Sequence, residues 1–507
     1  MKKLLAILLS VLFVASLSAC SVPSGQNEAT ANPDVTGAPS SADGPAVSGE
    51  ISGEITVSAY DSQTYKAFLE DAARLFEEKY PGTTVTVETF STMPDVKTSG
   101  QGNKSMTAIQ MQDDPQGRQD YINKVNTAMM SGGGADVYAM DVLPVHKYAQ
   151  SGQLDDLAGY MNADSEFDRA AYRENILDAI QYNGGTWFLP VDYTFDYFAY
   201  DSTLISPDVG NFGPQSAFST QQLFDLAKEL YDGSTRLFNT SDYQKKGNGG
   251  MWRDLFTDHY TDFVDIQNKA ANFADGTFAD ILNTVTGYAQ QGYIPQGVNG
   301  QAVSAEDAMR QAGEAPTDRY GFKHQSAFSL LNQFTRDTGR KLQMVMAGEN
   351  PGIEADDEIA GIHANAGGTV PFTYEQAYGI NANSQNKQTA WAFIKFLLSE
   401  EMQLNTHLSP RSFPVLNSAL EEKAMSVFGG SFMGAQAEEL DEKQQQAFNA
   451  YLTAIRQMSD QINNYTWTDT LVNDMINAEV QYYFDGSKTA EEVADVLQNK
   501  VDLYLNE

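Results

Sequence analysis

Residues 54–90 read EITVSAYDSQTYKAFLEDAARLFEEKYPGTTVTVETF, and this stretch decides the fold class. Ile55, Val57 and Ala59 alternate with polar residues, the period of a half-buried strand. Asp61 or Ser62 can cap a helix, because a short side-chain oxygen accepts from the free N–H groups of the first turn. Tyr65, Phe68, Leu69, Ala72, Leu75 and Phe76 then recur at helical spacing, and Pro81-Gly82 stops the helix. Residues 83–90 alternate again. Strand, helix and strand in that order predict a parallel sheet, hence an α/β fold.

The pattern continues outward. A second helix is expected around Tyr121–Met130, ending at Gly132-Gly133-Gly134, and ADVYAM then gives a third strand. In open α/β sheets ligands gather at the carboxyl ends of strands, where Tyr60, Asp61, Met140 and Asp141 fall. YNGGTWFLP holds an Asn-Gly turn between strand-like flanks and predicts a hairpin. VDYTFDYFAYD continues extended, and the strand signal returns in TYEQAYGINAN. KQTAWAFIKFLLSEE follows as a helix, with Ala390, Trp391, Ile394, Leu397 and Leu398 on one face, so Trp391 is expected in the core. The C-terminus is mostly helical, and no internal repeat is visible.

The N-terminus has a different character. Residues 1–19 carry Lys2 and Lys3, an apolar run from Leu4 to Val14, and a small-residue stretch, which together describe a secretory signal. The run ends in Leu17-Ser18-Ala19-Cys20, and Cys20 is the single cysteine of 507 residues. That ending resembles the bacterial lipoprotein lipobox. The resemblance implies cleavage before Cys20 and lipid on its sulfur, a tether to the extracytoplasmic face of the cell membrane. Several acyl chains anchor stably where one would be marginal. Residues 21–53 are rich in Pro, Gly, Ser, Ala and Thr, a composition that cannot bury enough apolar surface to order itself. With Cys20 they make residues 20–53 a tethering linker, and the body begins at residue 54.

A formal charge of −35 argues against nucleic acid or an anionic bilayer as a direct partner. The five histidines, His146, His259, His324, His363 and His407, are far apart in sequence. No zinc-protease, nucleophile-elbow or phosphate-loop motif occurs. DDPQGRQD lacks the ligand order of an EF-hand. No catalytic residue, cofactor or metal is therefore expected. A glycosidase needs only two placed carboxylates, so a carbohydrate-active enzyme stays open, as does a surface adhesin or sensor partner.

The body resembles the extracellular solute-binding proteins of ABC importers, in the sugar-binding group that includes maltose-binding protein. The likeness is carried by residues 55–88, by GGGADVYAMDVLPVHKYAQSGQLDDL, by GGTWFLPVDYTFDYFAYD, by AYGINANSQNKQTAWAFIKFLLSEEMQ and by MINAEVQYYFDGSKTAEEVADVLQNKV. Residues 91–118 and 231–340 match poorly. The resemblance implies two α/β lobes, a hinge of crossing segments and a ligand cleft between the lobes. It implies lobe one from 54–191 plus 366–425 and lobe two from 195–360 plus 430–507. The crossings would lie near Val191–Thr194, Ile362–Gly368 and beyond Arg411. The implied partners are a small carbohydrate ligand and the membrane permease subunits of an ABC transporter, with the chain itself a monomer.

Sugars need aromatic platforms and planar polar side chains. The candidate ligand contacts are Tyr60, Trp187, Asp192, Tyr193, Trp252 and Arg253, together with Asp61, Gln63, Asp141, Arg411 and Trp467, for which the resemblance implies a place at the cleft. Trp252, in GNGGMWRD, is expected on a loop, and Trp467 lies in the polar stretch NNYTWTD. Plainer roles exist for several: hairpin packing for Trp187, a helix cap for Asp141, a hinge hydrogen bond for Asp192. Met140 replaces an aromatic found in maltose-binding relatives, and MAGENPGIEADD lacks their second-lobe aromatic, which argues against maltose itself.

Overall fold

A computed structural model describes residues 47, 49–60, 65–90, 115–230, 233, 236–239, 248–294, 320–335, 357–429 and 440–507. Cys20, the signal, nearly all of the linker, Asp61, Gln63 and most of MAGENPGIEADD lie outside the described residues.

The opening stretch folds as its pattern predicts. Gly53–Tyr60 and Thr83–Phe90 pair in parallel, from Gly53 opposite Thr83 to Tyr60 opposite Phe90. The helix Tyr65–Lys79 between them buries Tyr65, Phe68, Leu69, Ala72 and Phe76, while Leu75 stays half-buried. Burial of each large apolar side chain contributes roughly 1.5–3 kcal/mol, which is why the apolar stripe and not helix propensity holds this element. Val137–Ala139 adds a third parallel strand. Ala377–Ile380 then inserts antiparallel beside Val137–Ala139, and Leu189–Pro190 closes the edge of this five-stranded sheet.

The return strand depends on Gly379. A Cβ there would stand 2.7 Å from both the Met140 Cε and the Trp187 carbonyl oxygen, so any larger residue would force the sheet apart. The following helix, Lys387–Leu397, buries Trp391 as expected. The Trp391 Nε1–H donates to Asp164 Oδ2 at 2.9 Å, and its ring stacks on Tyr160.

A second five-stranded sheet has the order Ala217–Phe218, Asp357–His363, Asp196–Asp201, Tyr320–Ser326, Arg236–Asn239. Its three middle strands are antiparallel and its two edges run parallel to their neighbours. Two apolar cores form: one surrounds the first sheet and reaches one face of the second through Tyr197, Ala199, Ile359 and Ile362, and the other covers the opposite face of the second sheet. The fold is therefore α/β in two lobes.

Four segments pair with one another outside the two large sheets. Asp192–Tyr193 pairs antiparallel with Phe413–Pro414. Thr194 bridges Thr373, and Pro371–Phe372 pairs in parallel with Asn464–Tyr465. The second passage runs later than its sequence expectation of Ile362–Gly368. Ile362 and His363 still pair within the second sheet, and the bridge between segments falls at Thr373. Among the described residues no helix is long and apolar enough to cross a membrane.

Candidate ligand cleft

The Asn-Gly turn forms the hairpin its sequence calls for. Asn183 and Gly184 have φ of 49° and 79°, both positive as a two-residue type I′ hairpin turn requires. Tyr182 and Gly185 exchange both backbone hydrogen bonds across it. Trp187 folds back over Gly185, and its Nε1–H donates to the Tyr182 carbonyl at 2.8 Å. The turn thus delivers Tyr182, Trp187 and Phe188 to one place.

Trp467 arrives from the other side. Its ring lies 4.8 Å from Tyr182, 5.8 Å from Phe188 and 5.1 Å from Tyr465. Tyr465 stacks on Tyr374 at 5.6 Å and donates its hydroxyl to the Tyr374 hydroxyl at 3.2 Å. Trp187, Tyr374, Tyr465 and Trp467 are half-buried. Trp187 and Trp467 each pack against both apolar cores. The result is a seam of aromatic rings, with tyrosine hydroxyls at its edge, where the crossing segments meet.

Asp192 ties those segments together. Its Oδ1 accepts from the Glu375 and Gln376 amides at 2.8 and 3.1 Å, and its Oδ2 accepts from Ser412 Oγ at 2.8 Å. One carboxyl therefore holds the first passage, the second passage and the loop before Phe413. It is 0 % exposed. Burial and the neighbouring Glu375 charge push it up to about 7 against the pull of those three donors. Nearby, burial brings the Lys423 ammonium down to about 8, with Asp192 and Glu375 opposing that change. Its Nζ donates to the Leu408 carbonyl at 2.9 Å.

Asp141 follows the third strand, as the sequence suggests. Its Oδ1 is buried without a hydrogen-bond partner among the described residues. Burial pushes the carboxyl up to about 7, while the Asp141 and Val142 amides and the Tyr65 hydroxyl act in the opposite direction.

The remaining candidates divide. Tyr60 sits half-buried at the strand end against Phe90 and Tyr121. Arg411 is half-buried, and its backbone N–H donates to Ser409 Oγ. Tyr193 is fully buried and donates its hydroxyl to Ser459 Oγ at 3.0 Å, so it acts as a strut, and its ring is not offered to a ligand.

Trp252 is a correction. It lies in a helix, Asn248–Asp258, and not in a loop, and it is 1 % exposed within the second core, with Phe256 5.9 Å away. No sugar face can stack on it. Arg253, beside it, reaches Asn477 Oδ1 at 2.7 Å and so joins two helices of the second lobe.

Sequence reading missed Tyr182, Phe188, Tyr374 and Tyr465 in the seam. Tyr465 carried a signal, standing two residues before Trp467 on an extended segment and therefore on the same face. Tyr374 carried none, because only the pairing of Pro371–Phe372 with Asn464–Tyr465 brings it there.

Two lobes, paired crossing strands and an aromatic seam between their cores define a two-lobe binding protein. The chain belongs to the bacterial extracellular solute-binding proteins, whose family model matches residues 103–427. Its fold is similar to an extracellular solute-binding protein family 1 member from Alicyclobacillus acidocaldarius. That match has 14 % identity, covers 91 % of this chain and 100 % of the other, and has a TM-score of 0.54. T. maritima MalE3, solved with maltose bound, matches at 14 % identity over 89 % of this chain and 99 % of its own, TM-score 0.50. The GacH receptor of Streptomyces glaucescens, solved unliganded and with acarbose, matches at 16 % identity over 90 % of this chain and 100 % of its own, TM-score 0.50.

Proposed function

We propose that this protein is a lipid-anchored extracytoplasmic receptor. It captures a carbohydrate, of oligosaccharide size, by closing its two lobes, and delivers it without chemical change to an ABC transporter permease. The aromatic seam carries the reading. Half-buried ring faces of Trp187, Tyr374, Tyr465 and Trp467, edged by hydroxyls, suit the apolar faces and hydroxyl rims of sugar rings. The maltose and acarbose seen with similarly folded proteins point to the same ligand class.

In this reading lobe one comprises 54–191 plus 366–425 and lobe two 195–360 plus 430–507. The passages pinned by Asp192 are the hinge, a domain-closure device. Asp61, Gln63, Asp141, Tyr60 and Arg411 supply polar or rim contacts. Cys20 holds the chain to the membrane through lipid, and the chain works as a monomer.

A thermal-shift screen of the full chain over linear and cyclic oligosaccharides tests the ligand class. A ligand at a hundredfold its dissociation constant stabilises by about 2.7 kcal/mol. At least one sugar should raise the melting temperature without being consumed. A panel that leaves the melting temperature unchanged, or product formation from the sugar, contradicts the reading.

A further inference from the structure

Two histidines that stand far apart in the sequence meet on one face of the second sheet. His324 lies opposite Phe198 across one strand pair, and Gly361 lies opposite Phe198 across the other. Side chains two residues apart share a face. Asp196, Phe198, His324 and His363 therefore project together from three adjacent strands. The imidazoles are 4.8 Å apart, centre to centre, and are 5 % and 4 % exposed for His324 and His363.

The helix Asn248–Asp258 lies behind this group with two carboxylates one turn apart. Asp258 Oδ1 meets His363 Nε2 at 2.6 Å, while Asp258 Oδ2 is fixed by the Thr220 amide at 2.8 Å. Asp254 Oδ1 stands 3.3 Å from His324 Nδ1. Each ring thus turns one nitrogen to a helix carboxylate. The opposite nitrogen of His324, Nε2, faces Asp196, and His363 lies on the same face of the sheet. His324 Nε2 is 3.6 Å from Asp196 Oδ2, yet neither His324 nitrogen makes a hydrogen bond among the described residues.

We propose that Asp196, His324 and His363 bind a divalent transition-metal cation of the zinc class. Their ligand atoms all lie within 4.8 Å of one another. Two imidazoles and one carboxylate are ligands that zinc accepts, with bonds of about 2 Å. Ligand atoms around such an ion stand roughly 3.3 Å apart, so the widest pair must close by about 1.5 Å. Asp196, with its side chain 45 % exposed, has the freedom to swing in and gives the ion a route from solvent. Asp254 and Asp258 complete the arrangement, since carboxylates on the outer nitrogens of metal-bound histidines fix the rings and raise their basicity.

The electrostatics agree. Three carboxylates surround two imidazoles, an excess of negative charge that a cation offsets. Strand pairing, and no short sequence motif, brings these side chains together.

The test is zinc titration by calorimetry and equilibrium dialysis on the full chain after chelator treatment, with zinc as the sole ligand. One zinc per chain should bind to wild type. Asp196→Asn, which changes a partly exposed group and should leave the fold intact, should weaken binding at least tenfold. His363→Ala should weaken it further. Cobalt added to wild type should give visible absorption bands of a low-coordinate nitrogen–oxygen site. The proposal is overturned if wild type takes up no stoichiometric zinc. It is equally overturned if Asp196→Asn binds zinc as tightly as wild type, which would assign the ion to surface carboxylates.

Discussion

Trp252 and Trp467 look alike in the sequence, each in a short polar or glycine-rich context without helical apolar spacing. The structure separates them. Trp252 is sealed in the second core, while Trp467 is half-buried at the seam where both cores touch. Local composition reports what surrounds a residue in the chain, and burial depends on what surrounds it in space. GNGGMWRD reads as a loop because glycine is a poor helix former, but the sheet beneath it supplies enough burial to hold a helix there.

That contrast can be broken first at Trp252. Trp252→Ala should cost about 3–5 kcal/mol of stability, the range for a large aromatic cut from a packed core. Sugar affinity of the surviving folded protein should stay near wild type. Denaturant melts with parallel titration check this, and intact stability with lost affinity would return Trp252 to the site.

A second test addresses Asp192, which ties three segments together. Burial holds the Asp192 carboxyl of the folded protein at about 7, above an ordinary carboxylate. The folded state therefore holds the proton more tightly than the unfolded chain. Its contribution is greatest in acid and is lost as pH rises from about 4 toward 7. Asp192→Asn keeps an oxygen for the Glu375 and Gln376 amides and removes that titration. Relative to wild type, the variant should gain on the order of 2–4 kcal/mol between pH 4.5 and pH 8, at about 1.4 kcal/mol for each tenfold difference in proton affinity. Unfolding curves that run parallel across this range would contradict the assignment.

The smallest effect belongs to the seam's polar edge. Tyr465→Phe removes the hydroxyl that donates to Tyr374. It should lower stability by about 1 kcal/mol and leave ring stacking in place, read by melts and by sugar titration.

Much of the first lobe is legible in the sequence. Residues 54–90 carry period-two and period-3.6 patterns without interruption, and AYGINAN with its helix carries the return. Hydrophobic periodicity is a local signal, and these elements obey it. The sequence places the second passage too early because strand length depends on the partner available, and Asp357–His363 keeps pairing through His363. The site is half legible. Trp187 and Trp467 stand out as aromatics in the sequence, and Asp192, expected as a ligand contact with a hydrogen-bonding role as the alternative, is found tying three segments together. Tyr374, Tyr182 and the pair of histidines do not stand out, because each is brought to its neighbours by sheet pairing or a turn.

If the seam, and not the second core, is the sugar platform, its half-buried Trp467 must carry affinity without carrying the fold. Calorimetric titration of Trp467→Ala against wild type, using an oligosaccharide identified by thermal shift, decides the matter. Affinity should fall by roughly thirtyfold, about 2 kcal/mol, with little change in melting temperature. Unchanged affinity in a folded Trp467→Ala protein would place the sugar elsewhere.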